Sequence, residues 1–367
     1  MNERIKALQK SMQHLDADLI AVSAGPDLLY LTGLDFHVSE RPAILLIPLE
    51  GEALFIFPEF ESGKVSALDL SLHAFPYQEE RVTWVNACRQ AMTALPGKTI
   101  KIGVNSTQMR FLEMNLLQQV DLSITFQSAD SAIQDLRTRK DSEEVVNIRQ
   151  AIHIAQEAFL KTIKNIKPGR TEKEIASELV MNLFKLGSDP ELPFSPIVAA
   201  GPNSANPHAI PTERALQEGD LVIIDWGASY HHYISDITRT LAIGQPSARD
   251  QQIAAIVKAA NQAGRDTAKA GVLCSAVHEA TRNVIVNENF GDFFTHRTGH
   301  GFGMEAHEAP YIASDFTQPL QAGNTFTIEP GIYLPGDAGV RIEDDVLATQ
   351  DGCQTLTSLP RELFIIE

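Results

Sequence analysis

Four carboxylates and one imidazole lie within short, mainly apolar stretches of the C-terminal part of the chain: Asp225, Asp236, His300, Glu329 and Glu343. Ionised carboxylates are costly in such surroundings unless positive charge lies beside them. Two divalent cations would balance the four negative charges. Oxygen-rich ligation with one imidazole and no thiolate favours manganese, magnesium or cobalt over a structural zinc site. We therefore predict two metal ions about 3.5–4 Å apart, the arrangement used for two-metal hydrolysis.

Strand–turn–strand units are predicted to carry the two acidic pairs. Asp225 follows the apolar run LVII, and Asp236 opens DITRTLAIG after a polar turn at residues 230–232. Glu329 follows TFTI, and Glu343 follows GVRI. Both units show the residue preferences of strands. Paired strands hold side chains on a rigid backbone, as a site shared by two cations requires.

A pair of helices is predicted before each acidic pair. Capping boxes at Asp141/Glu144 and Thr171/Glu174 open the first two helices, and the second of these runs to about residue 187. The later pair covers about residues 250–269 and 275–289. The repeated order predicts two half-domains of similar design, each donating two carboxylates to a central site.

Length and composition bound the other possibilities. A chain of 367 residues favours two domains, and the charged segment LRTRKDSEE predicts a boundary after residue 137. The net charge of −17 argues against a nucleic-acid partner. Cys88, Cys274 and Cys353 are widely separated and odd in number, which fits a reducing cytoplasm. Because no signal peptide or membrane span is evident, we expect a cytoplasmic protein without a membrane partner.

The segments around the acidic residues resemble the pita-bread metallopeptidases, the family of prolidase, aminopeptidase P and methionine aminopeptidase. GPNSANPH, SDITRT, TGHGFG, HEAP, IEPGIY and VRIED resemble the prolidase branch, as does the spacing of the five candidate ligands. LLYLTGLDF and RPAILLIP resemble a creatinase-type N-terminal domain, which methionine aminopeptidases usually lack. The resemblance implies an α/β domain over residues 1–137. It also implies, over residues 138–367, an α+β pita-bread catalytic domain with a pseudo-twofold antiparallel sheet.

The resemblance further implies a role for each candidate ligand. Asp225 would chelate one metal ion alone, and Asp236 and Glu343 would bridge both ions. His300 and Glu329 would complete the shell of the other ion. Glu329 would also act as the proton shuttle for the attacking water, because a metal-activated water needs a carboxylate to accept and pass on its proton.

Five residues outside the metal shell are also assigned by resemblance. His208 and His307 would line the substrate site and supply proton donors. Phe194 would pack on the proline ring, although an aromatic residue is as readily a core residue. Arg341 would lie near the metals, or would simply neutralise the neighbouring acidic run. Thr238 would orient the bridging carboxylate two residues before it.

Two positions depart from the family pattern. His232 stands where the family often has glycine, which affects a hairpin turn and no ligand. Tyr311 follows HEAP, where some dipeptide-specific relatives have an arginine that grips the C-terminal carboxylate of the substrate. Another basic residue, on the N-terminal domain or on a neighbouring subunit, could replace that grip.

The predicted function is a dinuclear metal-dependent Xaa–Pro peptidase, either a dipeptidase or an aminopeptidase. Its substrates would be small peptides with proline in the second position. Its cofactor would be two divalent ions, most simply Mn²⁺ with Co²⁺ or Zn²⁺ as alternatives, and the resemblance implies a homodimer. The main alternative is a non-catalytic peptide-binding or chaperone-like relative, expected to have lost ligands. A metal-free creatinase-like hydrolase would lack the acidic set, and a phosphoesterase would need a basic cluster.

Overall fold

The computed structural model describes residues 3–95, 97 and 100–367. The chain forms two compact units, Met1–Arg137 and Thr138–Glu367. Within the described residues, no helix is long and apolar enough to cross a membrane.

A six-stranded mixed sheet forms the centre of the first unit, in the order β4-β3-β2-β1-β5-β6. Its strands are β1 (Leu19–Ser23), β2 (Ile44–Pro48), β3 (Leu54–Pro58), β4 (His73–Tyr77), β5 (Lys101–Val104) and β6 (Thr125–Ser128). Every residue of β1, β2 and β3 is buried, which explains their continuous apolar sequences. The edge strands β4 and β6 have no such signature because they are largely exposed.

Helices cover this sheet and bury its apolar side chains. They are α1 (Glu3–Met12), α2 (Pro26–Thr32), α3 (Ser62–Ser66), α4 (Arg81–Ala94), α5 (Phe111–Gln118) and α6 (Asp130–Arg137), with a 3₁₀ turn at Glu59–Glu61. Trp84 and Ala91 of α4 pack in one cluster with Leu46 and Ile56 of the sheet. This unit is therefore an α/β domain, as the sequence predicts.

Four long helices belong to the second unit. They are α7 (Ser142–Thr162), α8 (Glu172–Lys185), α9 (Ala248–Thr267) and α10 (Cys274–Asn287). The capping boxes predicted at Asp141 and Thr171 are confirmed. A third box, at Ser247 with Asp250, starts α9 two residues before the predicted position. Hydroxyl and carboxylate caps satisfy backbone N–H groups that a helix start leaves unpaired.

The strands of the second unit form two sheets and two hairpins. They are β7 (Ile197–Ala200), β8 (Leu221–Trp226), β9 (Ser229–Tyr230), β10 (Tyr233–Ile234), β11 (Ile237–Ile243), β12 (Gly299–Gly301), β13 (Glu308–Ile312), β14 (Thr325–Ile328), β15 (Gly331–Leu334), β16 (Ala338–Arg341), β17 (Asp344–Ala348), β18 (Cys353–Thr355) and β19 (Phe364–Ile366). The sheets have the orders β19-β11-β8-β7 and β13-β12-β14-β17-β18. The hairpins are β9–β10 and β15–β16. Short 3₁₀ turns lie at Ile163–Asn165, Gly201–Ala205 and Gly291–Phe293.

The two halves of this unit repeat one design. In the first half, β8 and β11 are antiparallel and flank the β9–β10 hairpin, and in the second half β14 and β17 flank β15–β16. Asp225 lies in β8 and Asp236 immediately precedes β11, whereas Glu329 follows β14 and Glu343 precedes β17. A helix pair precedes each half. The predicted pseudo-twofold pita-bread fold is confirmed.

Apolar packing fixes the strands that carry the acidic residues. The Phe159 ring of α7 stacks on Trp226 of β8 at 4.5 Å, and the Trp226 indole N–H donates to the Ala155 carbonyl at 2.9 Å. In the other half, Asn261 of α9 donates to the Ile328 carbonyl at 2.8 Å. Burial of each large side chain stabilises the fold by about 1.5–3 kcal/mol. The helices thus hold both acidic pairs in place.

Candidate metal centre

The five predicted ligands line one cavity of about 590 Å³, which lies entirely within the second unit. Four predicted substrate-site residues line the same cavity: Phe194, His208, His307 and Arg341. Phe194 is half-buried and lines the cavity wall. The structure therefore brings together residues that are up to 149 positions apart in the sequence.

Three of the candidate ligands form the tightest group. Atoms of Asp236, His300 and Glu343 that could bind a metal all lie within 4.8 Å of one another. The His300 Nε2 atom is 3.7 Å from Asp236 Oδ2 and 3.2 Å from Glu329 Oε1. These separations allow a cation to be held between the imidazole and the carboxylates.

The orientation of His300 is set by its own backbone. A bulge in the β12–β13 pairing lies between His300 and Gly301, and bulges commonly redirect a side chain at a site. The His300 Nδ1 atom is 3.1 Å from the Gly301 carbonyl oxygen, a contact that requires a protonated Nδ1. When the imidazole is neutral, this tautomer presents the Nε2 lone pair to the carboxylates, as a metal ligand must.

Burial and like charge act together on the central carboxylates. Burial raises the pKa of Asp236 and of Glu343 well above the ordinary range, and neighbouring carboxylates raise both pKa values further. Burial would also raise the pKa of Glu329. When the His300 imidazole carries a proton on both nitrogens, its Nε2–H donates to Glu329; this hydrogen bond and nearby positive charge outweigh the effect of burial and lower the pKa of Glu329 to about 2. Without a cation, the centre therefore holds protons that metal ions would replace.

Asp225 provides a direct test of whether the site fits a cation. Its Oδ2 atom accepts a hydrogen bond of 2.7 Å from the Arg341 guanidinium. Its Oδ1 atom is buried and has no hydrogen-bond partner within the described part of the chain. A buried carboxylate oxygen without a partner is costly, and a coordinated cation would satisfy it. The oxygen-rich donor set with one imidazole thus fits two hard or borderline divalent ions.

Thr238 supports a different carboxylate from the one predicted. Its hydroxyl donates to Glu343 Oε2 at 2.6 Å and not to Asp236. The reason is that the Glu343 backbone N–H donates to the Thr238 carbonyl at 3.1 Å, which places the two side chains together. The Asp236 backbone N–H instead donates to Asp345 Oδ2 at 3.1 Å.

Arg341 lies at the centre of a second hydrogen-bond network. Besides its ion pair with Asp225, its Nε atom donates to the Thr238 hydroxyl at 3.1 Å, and one guanidinium nitrogen donates to the Tyr333 hydroxyl at 2.9 Å. The Tyr333 hydroxyl is also 2.8 Å from His296 Nε2. The direct ion pair of Arg341 is therefore with Asp225, and its charge also acts on Glu343 of the neighbouring acidic run.

Three charged residues beside the site are buried, which their sequence pattern does not predict. Asp344 and Asp345, which such a run would ordinarily place on a solvated face, are fully buried. Arg239, also fully buried, donates to Asp344 Oδ1 at 2.8 Å and to the Glu343 carbonyl at 2.6 Å. An arginine in the apolar strand TRTLAI and a run of three acids are the only signals that the sequence offers.

His307 and His208 form part of the cavity wall. The His307 ring packs edge-on against His300 at 4.2 Å. Burial, followed by the positive charges of His300 and Arg297, lowers the pKa of His307 to about 4, so its imidazole is neutral near pH 7. His208 is exposed at the cavity. Both imidazoles can donate hydrogen bonds to a ligand.

Comparison with known proteins agrees with this geometry. Residues 146–350 match metallopeptidase family M24, and residues 4–139 match the creatinase/prolidase N-terminal domain. The chain is 32% identical to an Xaa-Pro dipeptidase of Pyrococcus horikoshii over 99% of both proteins.

Solved structures of related peptidases superimpose on nearly the whole chain. A dipeptidase from Pyrococcus horikoshii OT3 superimposes with a TM-score of 0.92 at 36% identity, over 99% of this chain and 100% of the other. An X-Pro aminopeptidase from Thermotoga maritima gives 0.86 at 31% identity, over 99% of both chains. With five candidate ligands in one cavity and both domains matched, this chain belongs to metallopeptidase family M24.

Proposed function

We propose that the chain is an exopeptidase that hydrolyses the bond between an N-terminal residue and proline, in Xaa–Pro dipeptides or at the start of longer peptides. The observation that carries the proposal is the single cavity lined by five candidate metal ligands, the two imidazoles of His208 and His307, and the aromatic ring of Phe194. The relatives named Xaa-Pro dipeptidase and X-Pro aminopeptidase support the same substrate class.

The proposed cofactor is a pair of divalent cations, with Mn²⁺ as the best match to the oxygen-rich donors. Asp225, Asp236, His300, Glu329 and Glu343 would hold them. When bound, the cations would polarise the scissile carbonyl and lower the pKa of a water molecule. The homodimer implied by family resemblance stays a prediction, which sedimentation velocity would test.

Glu329 and His307 have complementary tasks in the proposed reaction. A lowered pKa keeps the Glu329 carboxylate ionised near pH 7, and this carboxylate would accept a proton from the attacking water. It can then pass that proton towards the departing proline nitrogen. His307 is neutral at this pH and can donate an N–H to the oxygen that becomes negative as the carbonyl is attacked. His208, at the exposed part of the wall, would bind the substrate.

Recognition of proline must rely on shape. The peptide nitrogen of proline carries no hydrogen, so no N–H donor distinguishes the scissile bond. Phe194 is half-buried in the cavity wall and offers an aromatic face to a pyrrolidine ring. A substrate with alanine in place of proline would lose this ring contact.

The test uses full-length protein stripped with chelator and assayed with Ala–Pro, Ala–Pro–Ala and Ala–Ala, with and without Mn²⁺. We expect Mn²⁺ to restore cleavage of at least one proline peptide and to favour it over Ala–Ala. Glu329→Gln should abolish turnover, whereas Glu279→Gln on the exposed face of α10 should not. Binding of proline peptides without cleavage at any metal concentration would overturn the proposal in favour of a non-catalytic peptide-binding protein.

A further inference from the structure

Arg341 and Arg297 both line the cavity, and they differ in whether the guanidinium group has an anionic partner. The Arg341 guanidinium is fully engaged: it binds Asp225 Oδ2 at 2.7 Å, and it also donates to Thr238 and Tyr333. Its exposed fraction is only 3%. Arg341 is therefore committed to holding the metal centre together.

Arg297 is the other arginine, and its charge is uncommitted. It is partly exposed in the cavity wall, two residues before β12. Within residues 3–95, 97 and 100–367, no carboxylate lies within ion-pairing distance of its guanidinium, and no side chain or carbonyl accepts a hydrogen bond from it. The planar guanidinium group matches the geometry of a carboxylate, so an unpaired one in a cavity wall is able to bind an anionic ligand.

The Arg297 side chain is held in place by stacking. Its guanidinium carbon lies 4.7 Å from the centre of the Tyr311 ring, a cation–π arrangement. The Tyr311 ring in turn packs edge-on against Phe316 at 5.8 Å. Stacking on a ring face orients the guanidinium but leaves the N–H groups along its edge free to bind a carboxylate with two parallel hydrogen bonds.

Arg297 lies beside the candidate metal ligands. Tyr311 is the direct antiparallel partner of the candidate ligand His300 in the β12–β13 pairing. The charge of Arg297 is also close enough to affect His307. In a dipeptide, the C-terminal carboxylate follows the scissile bond by one residue, a reach of about 3.5 Å. Because Arg297 and the candidate ligands line one cavity, the group it would bind is a carboxylate close to the scissile bond, as in a peptide that ends at proline.

We propose that Arg297 binds the C-terminal carboxylate of Xaa–Pro dipeptides and so favours them over longer peptides. This inference rests on the proposed Xaa–Pro peptidase function and assigns its substrate length. Tyr311, at the position where some relatives have arginine, serves here as the platform on which Arg297 stacks.

The experiment compares Ala–Pro with Ala–Pro-amide, which lacks only the terminal charge, on the Mn²⁺-loaded full chain. In wild type, kcat/KM should be higher for Ala–Pro. Arg297→Gln should lower the Ala–Pro to Ala–Pro-amide ratio of kcat/KM by about 10- to 100-fold, as expected for a lost charged hydrogen-bonded pair. The loss should appear mainly in KM for Ala–Pro, and Arg297→Lys should retain part of the preference.

Arg249→Gln is the matched control, because Arg249 is an exposed arginine that pairs with Asp337 on the surface. The Arg249→Gln variant should have the same Ala–Pro to Ala–Pro-amide ratio of kcat/KM as wild type. An unchanged ratio in Arg297→Gln, with wild type active on Ala–Pro, would overturn the assignment of Arg297 and leave the proposed function intact. An equal loss of kcat/KM on both substrates would also overturn the assignment, because it would show that Arg297 has only a structural role. Wild type that cleaves neither substrate would overturn the proposed function and this inference together.

Discussion

Replacing Thr238 by valine should weaken metal binding much more than it weakens the fold. Thr238 is fully buried, donates to Glu343 Oε2 at 2.6 Å and accepts from Arg341 Nε at 3.1 Å. Valine has nearly the same shape but no hydroxyl group. The change therefore removes both hydrogen bonds and opens almost no cavity.

The expected loss can be worked from these contacts. A hydrogen bond to a charged group contributes about 1.5–3 kcal/mol, and loss of a group that orients a metal ligand commonly weakens affinity about 10- to 100-fold. Without the hydroxyl donor, the ionised form of Glu343 is less stable, so its pKa, already raised by burial, rises further. Mn²⁺ must then displace a more tightly held proton. We expect an affinity about 10- to 100-fold lower near pH 7.

Isothermal titration calorimetry of chelator-stripped protein with Mn²⁺ measures this change. The matched control is Thr281→Val, because Thr281 is also fully buried and its hydroxyl donates to a helix carbonyl, that of Val277, at 2.9 Å. This control should bind Mn²⁺ with wild-type affinity. Wild-type affinity in Thr238→Val, or an equal loss in both variants, would refute the role assigned to the Thr238 hydroxyl.

Three further predictions concern protons, the oxyanion and stability. Mn²⁺ binding should release protons and tighten as pH rises from about 5 to 8, because Asp236 and Glu343 have raised pKa values and a cation binds only their ionised forms; calorimetry in buffers of different ionisation enthalpy measures the release. His307→Asn should lower kcat about 10²- to 10³-fold while Mn²⁺ affinity stays unchanged. Lys140→Met should lower the free energy of unfolding by about 3 kcal/mol in urea titrations, because it removes the buried ammonium group that pairs with the Glu308 carboxylate.

Each of these predictions has a control and a contradicting result. Binding heats that do not depend on the buffer would contradict proton release. His231→Asn is the control for His307, because His231 lies in an exposed turn at φ 49°, a conformation that asparagine tolerates. Arg249→Met breaks an exposed ion pair and should change stability by less than about 0.5 kcal/mol. A similarly small change in Lys140→Met would contradict the importance of the buried pair.

The fold could be predicted largely from local signals. Capping boxes mark the helices that begin after Asp141 and Thr171, and continuous apolar runs mark the buried strands β1, β2 and β3. The edge strands β4 and β6 give no such signal, because their exposed positions impose no apolar pattern. The candidate ligands could be proposed because carboxylates in apolar strands require compensating charge.

Partners distant in sequence could not be predicted. Family resemblance pairs Thr238 with the nearby Asp236, whereas its hydroxyl donates to Glu343, 105 residues away. The buried pair of Arg239 with Asp344 has the same separation and replaces a solvated face with a buried charge network. Such contacts depend on how the loop before β17 packs across β11. Residue types and their local spacing do not predict that packing.

The central claim is that five side chains bind two divalent cations in one cavity. The most direct measurement is a crystal structure of the Mn²⁺-loaded protein with anomalous scattering recorded at the manganese edge. We predict two anomalous peaks, about 3.5–4 Å apart, with Asp236 and Glu343 contacting both. A single peak, or peaks outside the cavity lined by Asp225, His300 and Glu329, would contradict the claim.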